Sequence, residues 1–173
     1  MLEPDAFNGA RPVLRGGGAG NSTSLPDRRE SSVSYDLLVY LRRSAMPTPQ
    51  RWRAAIRDAG FPLDLGVDFD VDSSSGFRPC DLLGAAAGFE YYSSPVSESA
   101  RAELAAPPDC DFSVMLTTGA DERELAASIM AAGALCHASG GVLVDPQSGE
   151  DILAERALAW ARQKFSEIEV HLR

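Results

Sequence analysis

Apolar and polar residues alternate without a break between positions 63 and 72. The odd positions carry Leu, Leu, Val, Phe and Val, whereas the even positions carry Asp, Gly, Asp, Asp and Asp. A β-strand points successive side chains to opposite faces, so this period of two predicts a strand with one buried face. The other face would carry a row of carboxylates from Asp64, Asp68, Asp70 and Asp72. Aspartate is depleted in strands, so such a row favours a surface that meets positive charge.

Four further strands and three main helices follow from the same kind of pattern. Apolar runs predict strands at residues 35–41, 89–92, 112–117 and 142–144. Apolar positions at helical spacing predict helices within residues 48–60, 121–139 and 154–168, and a short helix fits residues 98–106.

Helix ends are marked by residue type as well as by periodicity. Thr48 followed by Pro49 is typical of a helix start, because the hydroxyl caps and the proline lacks an N–H that would otherwise be unpaired. Asp121 and Glu124 have the spacing of a capping box. Gly60 follows the first helix at the position where a left-handed residue ends a helix.

The element order is therefore β-α-β-β-β-α-β-α. Consecutive β links mixed with helices indicate an α+β protein, a two-layer sandwich with a mainly antiparallel five-stranded sheet and three main helices. The helices would lie largely on one face of that sheet. The acidic row of residues 63–72 would then lie on the uncovered face.

The chain divides into a tail and a single domain. Residues 1–33 contain a Gly-rich stretch and show no sustained apolar period, which predicts a flexible N-terminal tail. The pattern changes at residue 34, and residues 34–173 are predicted to form one α+β domain.

Charge is the main departure from an average composition. The chain has 25 acidic and 16 basic residues, for a net charge of −9. Thirteen acids fall between residues 64 and 124, whereas residues 42–57 carry five arginines and no acid. A field of this kind repels nucleic acid and anionic membranes and attracts basic partners.

The sequence also bears on the compartment. It contains no apolar run long enough to span a bilayer and no apolar leader at its start. The three cysteines, Cys80, Cys110 and Cys136, are odd in number and widely spaced, which favours a reducing compartment over a disulfide framework. We therefore expect a cytoplasmic protein.

Candidate catalytic residues are few. Cys136 and His137 are adjacent, so on a helix their side chains point about 100° apart, which disfavours a catalytic pair. Cys80 has no evident base beside it, and His171 lies close to the C-terminus. The chain contains neither a Gly-x-Ser-x-Gly elbow nor a P-loop. We expect no catalytic residues, no cofactor and no dedicated metal site.

The Asp68-x-Asp70 pair leaves alternatives open. Hard divalent cations prefer carboxylate oxygens, so a metal-dependent enzyme using these two residues is the main rival interpretation. A merely solvated strand face is another, because polar-out alternation is normal in antiparallel sheets. Glu90 interrupts an aromatic strand and could pair with Arg78 or Arg42.

One segment resembles a known family. Residues 76–80 and 88–92 read Gly-Phe-Arg-Pro-Cys and Gly-Phe-Glu-Tyr-Tyr. This pattern is similar to the Gly-Phe-x-Pro…Gly-Phe-Glu-x-Tyr core of small bacterial immunity proteins, the cytoplasmic antidotes of polymorphic toxins. The resemblance implies a non-enzymatic protein that binds one cognate toxin and blocks its active site. It also implies that the glycines and aromatic residues of the motif shape the fold.

We therefore expect an acidic binding protein, an immunity protein that occludes a basic toxin domain. The tyrosines would anchor the contact, since they offer contact area at low entropic cost. The predicted partner-binding residues are Asp64, Asp68, Asp70, Asp72, Glu90, Tyr91 and Tyr92. Besides the metal-dependent enzyme, a small adaptor or a DNA mimic remains as an alternative.

Overall fold

A computed structural model describes residues 34–103 and 107–172. The predicted tail, residues 1–33, lies outside this part of the chain. The strands are β1 (Tyr35–Leu41), β2 (Leu63–Leu65), β3 (Gly76–Leu82), β4 (Ala85–Pro95), β5 (Phe112–Thr118), β6 (Val142–Asp145) and β7 (Glu150–Leu153). The helices are α1 (Pro49–Asp58), the short α2 (Glu98–Glu103), α3 (Glu122–Ser139) and α4 (Ala154–Leu172).

The strands form one antiparallel sheet in the order β2-β3-β4-β5-β1-β6-β7. The predicted α+β class is confirmed, as are the three main helices within the described residues. The number of strands differs: the sheet has seven strands rather than five, because β3 and β7 add to those predicted. The second strand is much shorter than predicted, since it ends at Leu65.

The predicted caps are present at both helices that carry them. Thr48 Oγ1 accepts a hydrogen bond from the N–H of Arg51, and Pro49 occupies the first turn of α1. Asp121 accepts from the N–H groups of Arg123 and Glu124 at the start of α3. Helix α3 ends at Gly140, whose φ of +66° places it in the left-handed region that glycine tolerates best.

One face of the sheet packs against the three long helices. Leu37, Val39 and Leu41 of β1 alternate toward this face and belong to the same buried cluster as Trp52 of α1. Helix α3 is buried along its centre, because the sheet lies on one side of it and α4 on the other. The predicted one-sided placement of the helices is therefore observed, and it leaves the opposite face of the sheet without a long helix.

The β3–β4 hairpin contains residues 76–80 and 88–92. Its two-residue turn, Leu83-Gly84, has φ values of +57° and +81°, the signs required by a type I′ turn. Phe77 lies over Gly88 on the neighbouring strand, so closely that a Cβ at position 88 would overlap its ring. The glycine of the motif is therefore needed for contact between the two strands.

Candidate functional site

The acidic segment 63–72 is not a continuous strand. Only Leu63–Leu65 pairs with β3, and the chain then leaves the sheet. Farther along, Asp70 closes a turn, because its Oδ1 accepts hydrogen bonds from the N–H groups of Asp72 at 2.8 Å and Ser73 at 3.1 Å. Short-range bonds of this kind compete with sheet pairing and favour turns. The predicted strand over residues 66–72 is therefore wrong.

The apolar half of the alternation still describes which side chains point inward. Leu63 and Leu65 are buried, and the ring of Phe69 packs against Trp52 and Tyr91 at centroid distances of 6.3 and 5.5 Å. The carbonyl oxygen of Val71 accepts a hydrogen bond from the Tyr91 hydroxyl at 2.6 Å. The loop is thus attached to the sheet by its apolar side chains and its backbone.

The four aspartates do not form a row. Asp64 forms two hydrogen bonds with Arg53 of α1, at 2.5 and 2.6 Å. Asp72 is ion-paired with Arg43. Asp70 holds its own turn, and Asp68 is exposed without an ion pair to any described residue. Two of the four predicted partner-binding carboxylates are therefore already matched by arginines of the same chain.

The two tyrosines lie on opposite sides of the sheet. Tyr91 is fully buried with 0% of its surface exposed, and burial raises the pKa of its hydroxyl to about 12. It faces the helices as strand alternation requires, so it cannot anchor a partner, and that assignment is corrected. Tyr92 faces the other way and is 41% exposed. Tyr92 remains a candidate contact residue.

Glu90 also points to the side of the sheet without long helices. The predicted pairing with Arg78 or Arg42 is not observed. Arg42 binds Asp109 at 2.6 Å, and the Arg78 guanidinium lies over the rings of Phe69 and Tyr91 on the core side.

The register assembles an acidic and apolar surface on that side, which we call the open face. One row across the sheet runs Phe77, Glu90, Thr117 and Asp36. The next row runs Tyr92, Met115, Leu38, Val144 and Asp151. Neighbouring strands lie about 4.8 Å apart, so each row forms a continuous set of side-chain neighbours.

Carboxylates on the open face come from five strands. They are Asp36 of β1, Asp64 of β2, Asp81 of β3, Glu90 of β4 and Asp151 of β7. The alternate positions of the described strands that share this face include no lysine or arginine. Apart from Asp64, these carboxylates form no ion pair with a described residue. The open face is therefore negative, but its carboxylates come from separate strands, and of the predicted row only Asp64 is among them.

Apolar side chains are exposed at two places on the open face. Phe77 is 50% exposed and Leu153 is 49% exposed, in addition to Tyr92. The segment between β4 and β5 covers part of this face, because Val96 and Cys110 pack on Tyr40. What remains accessible is Phe77 and Tyr92 on the neighbouring strands β3 and β4, and Leu153 on the outermost strand β7, each with a carboxylate on the same strand.

Three members of the open face were missed by the sequence analysis. Asp36, Asp81 and Asp151 are isolated acids in separate strands, and only the register brings them onto a common face. The sequence of β3 did contain a signal for a strand, since residues at alternate positions belong to opposite faces. One face carries Phe77, Pro79 and Asp81, and the other carries Arg78, Cys80 and Leu82. The Gly and Pro residues of that segment instead indicated a loop.

The cysteines and histidines that could take part in catalysis are buried, partly buried or paired within the fold. Burial raises the pKa of the Cys136 thiol to about 12, and that of Cys80 likewise to about 12. A thiol with a raised pKa is a poor nucleophile at neutral pH. His137 Nδ1 lies 3.1 Å from the carbonyl oxygen of Ala154, and His171 pairs with Glu122 at 3.3 Å. Both histidines therefore connect α3 to α4.

The metal interpretation of Asp68 and Asp70 gains no support from their surroundings. Asp70 Oδ1 already accepts two backbone N–H groups. Within the residues that the structure describes, no three His, Cys, Asp or Glu side chains are grouped so as to hold a metal ion. In the same part of the chain, no helix combines the length and hydropathy needed to cross a membrane.

Replacing Asp70 by alanine should lower the melting temperature at pH 7. The N–H groups of Asp72 and Ser73 hold the pKa of Asp70 below its ordinary value. A lowered folded-state pKa stabilises the protein above the unfolded-state pKa of about 3.9, and this contribution is lost as pH falls through the folded-state value. The difference in melting temperature between wild type and Asp70→Ala should therefore shrink toward about pH 2. Thermal melts of both proteins across this range test the prediction, with Asp68→Ala as control; an equal pH dependence for the two variants would contradict it.

Comparison with known proteins adds no relative. No protein-family model matches the chain, and no curated protein and no solved structure is significantly similar to it.

Proposed function

We propose that this protein is a non-catalytic binding protein, an immunity protein whose open face binds and occludes a basic toxin domain. The observation that carries the proposal is the composition of the open face. Exposed Phe77, Tyr92 and Leu153 lie among Asp36, Asp81, Glu90 and Asp151, and no described cation pairs with these carboxylates.

The open face has the chemistry of a protein interface. Interfaces typically combine an apolar, aromatic-rich centre with a polar rim. Here Phe77 and Tyr92 are exposed on neighbouring strands beside Glu90, and Asp81 lies farther along β3 on the same face. A complementary partner surface would carry arginine or lysine around a central apolar patch.

The hairpin that resembles immunity proteins supports the same surface. Pairing of β3 with β4 sets Phe77 directly opposite Glu90 and Pro79 opposite Gly88. The motif thus places an exposed aromatic ring and a carboxylate side by side on the open face. Phe89 and Tyr91 of the same motif face the core, where they fix the hairpin against α1.

Charge and burial would contribute differently to the complex. The negative field of the open face raises the rate of encounter with a basic partner, whereas buried aromatic contacts lengthen the lifetime of the complex. Inhibition follows if the face covers the cationic groove that the toxin uses for its own substrate.

Two charge-reversal variants test which acidic region matters. Glu90→Lys changes the open face, and Asp68→Lys changes the loop outside it by the same net charge. Co-expression with the C-terminal toxin domain encoded by the neighbouring gene gives the readout, as growth and as affinity of the purified pair. We expect the first variant to bind the toxin domain at least about tenfold more weakly than wild type does, which corresponds to about 1.4 kcal/mol. This difference in affinity should be largest at low salt, where charges are screened least.

The loop variant provides the control. It should protect cells as well as wild type does, once circular dichroism has shown that both variants are folded. If only the loop variant fails to protect cells, the interface lies at residues 66–72 rather than on the open face. A genome in which no toxin gene neighbours this one would contradict the immunity assignment.

A further inference from the structure

A notch opens at the edge of the open face where β5 ends. Strand β5 ends at Thr118, and it pairs with β4 only from Glu90 onward, so the first residues of β4 extend beyond it. The space left there has a volume of about 260 Å³ and is lined by Phe77, Glu90, Thr117, Thr118, Gly119 and Glu124, among others. The notch therefore connects the open face with the N-terminal turn of α3.

Two hydroxyl groups in the notch have no partner. Thr118 is only 4% exposed, and its Oγ1 is buried without a hydrogen bond. Thr117 Oγ1, on the opposite side of the same strand, is also buried and unbonded. Buried hydroxyls are normally hydrogen-bonded, because leaving one unpaired is costly. Of the two, Thr118 is the more deeply buried, and its oxygen is an unused hydrogen-bond acceptor in the lining of the notch.

The notch is also negative and lacks a counter-charge. Glu90 and Glu124 approach it from β4 and from α3, and neither forms an ion pair with any residue in the described ranges. Burial, together with the nearby charges of Asp121 and Glu90, raises the pKa of Glu124. A cation in the notch would relieve this repulsion.

We propose that the notch binds a guanidinium group, the side chain of an arginine on the partner. Guanidinium offers five N–H donors in one plane, enough for two carboxylates and a threonine oxygen, and its face can stack on an aromatic ring such as Phe77. A divalent metal fits less well, because the notch is lined by two carboxylates and hydroxyls rather than by a larger set of ionised oxygens. The inference rests on the proposed function only in taking the arginine to belong to the partner.

A peptide titration tests the notch without the partner. The probe is N-acetyl-Gly-Arg-Gly-amide, and the matched control replaces arginine by citrulline, which has a similar shape and no charge. We expect the arginine peptide to cause saturable changes in the amide NMR signals of Gly119 and Glu124, and the citrulline peptide to cause none.

Variants assign the binding to individual groups. Glu124→Gln should lower the affinity for the arginine peptide at least about fivefold. Asp68→Asn, in the loop of residues 66–72, should leave this affinity unchanged. Thr118→Val should weaken binding and at the same time raise the melting temperature, because it removes a buried hydroxyl that has no partner. A Thr118 with a purely structural role would not give this opposite pair of changes.

The outcomes separate this inference from the proposed function. Equal shifts with citrulline, shifts confined to other parts of the surface, or unchanged affinity of Glu124→Gln would overturn the guanidinium site. If cells are still protected in that case, the open face acts without the notch. Saturable binding of the arginine peptide in a protein that protects against no toxin would retain the notch and reject the immunity assignment.

Discussion

Trp52→Ala is expected to lower the free energy of unfolding by about 3–5 kcal/mol. Trp52 of α1 is fully buried, and its ring lies 6.2–6.5 Å from the rings of Phe69, Phe89 and Tyr91. Its indole N–H donates to the carbonyl oxygen of Ala131 in α3 at 2.9 Å. One side chain thus joins the first helix, the central helix, the loop and β4, so its removal leaves a cavity at their meeting point.

The other tryptophan provides the matched control. Trp160 of α4 is only partly buried, and its indole nitrogen has no hydrogen-bond partner. Trp160→Phe should therefore change stability by less than about 1 kcal/mol. Urea unfolding followed by circular dichroism measures both variants without relying on tryptophan fluorescence. A loss below about 1 kcal/mol for Trp52→Ala would show that the aromatic cluster does not hold these elements together.

The helices could be predicted because their signals are local. Thr48 and Asp121 cap the two helices that the sequence assigned to them, and Gly140 ends α3 in the left-handed conformation. These residues act through bonds to neighbours within a few positions. Such contacts depend little on the rest of the fold, so the residue types alone are informative.

Strand β3 was missed for a reason that the sheet makes clear. Proline lacks the N–H that a central strand needs, so Pro79 indicated a loop. In the structure β2 pairs with β3 only at Cys80, Asp81 and Leu82, and Pro79 lies beyond this pairing. The short neighbouring strand thus allows a proline inside a seven-stranded sheet, and no pattern around residue 79 shows how long that neighbour is.

The acidic segment shows how local and long-range effects compete. Alternation of Leu63 to Val71 predicted a strand, and Leu63, Leu65 and Phe69 do face the core. Asp70 nevertheless closes a turn through its own carboxylate, which the alternation does not register. Periodicity therefore predicted which side chains are buried but not which backbone conformation presents them.

The composition of the open face could be predicted only with knowledge of the strand order. Glu90 and Tyr92 share this face because they lie two positions apart in one strand, an alternation that is visible in the sequence. Their neighbours Asp36 and Met115 come from strands far away in the chain and are brought alongside by pairing. A single sequence contains no signal for such pairing. The sequence therefore predicted a negatively charged surface but not where on the sheet that surface lies.

Gly133→Leu is expected to cost about 2 kcal/mol of stability through the contact between α3 and α4. A Cβ at position 133 would lie 2.6 Å from the Cβ of Ala161 and 3.0 Å from the carbonyl oxygen of Ala157. Overpacking of this kind costs about 3 kcal/mol, and the better helix propensity of leucine offsets about 1 kcal/mol of it. Because part of the obstruction is backbone, the helices must move apart rather than a side chain rotate.

Ala159→Leu is the control, since it adds leucine to the exposed side of α4 and should change stability by no more than about 0.5 kcal/mol. Urea titrations of both variants give the comparison. The loss in Gly133→Leu should be accompanied by weaker protection of α4 amides in hydrogen exchange, because α4 lies against the sheet mainly through α3. Equal stability of the two variants would mean that α3 and α4 accommodate a large residue at their contact, and that the small residues Ala157 and Ala161 are not required for close packing.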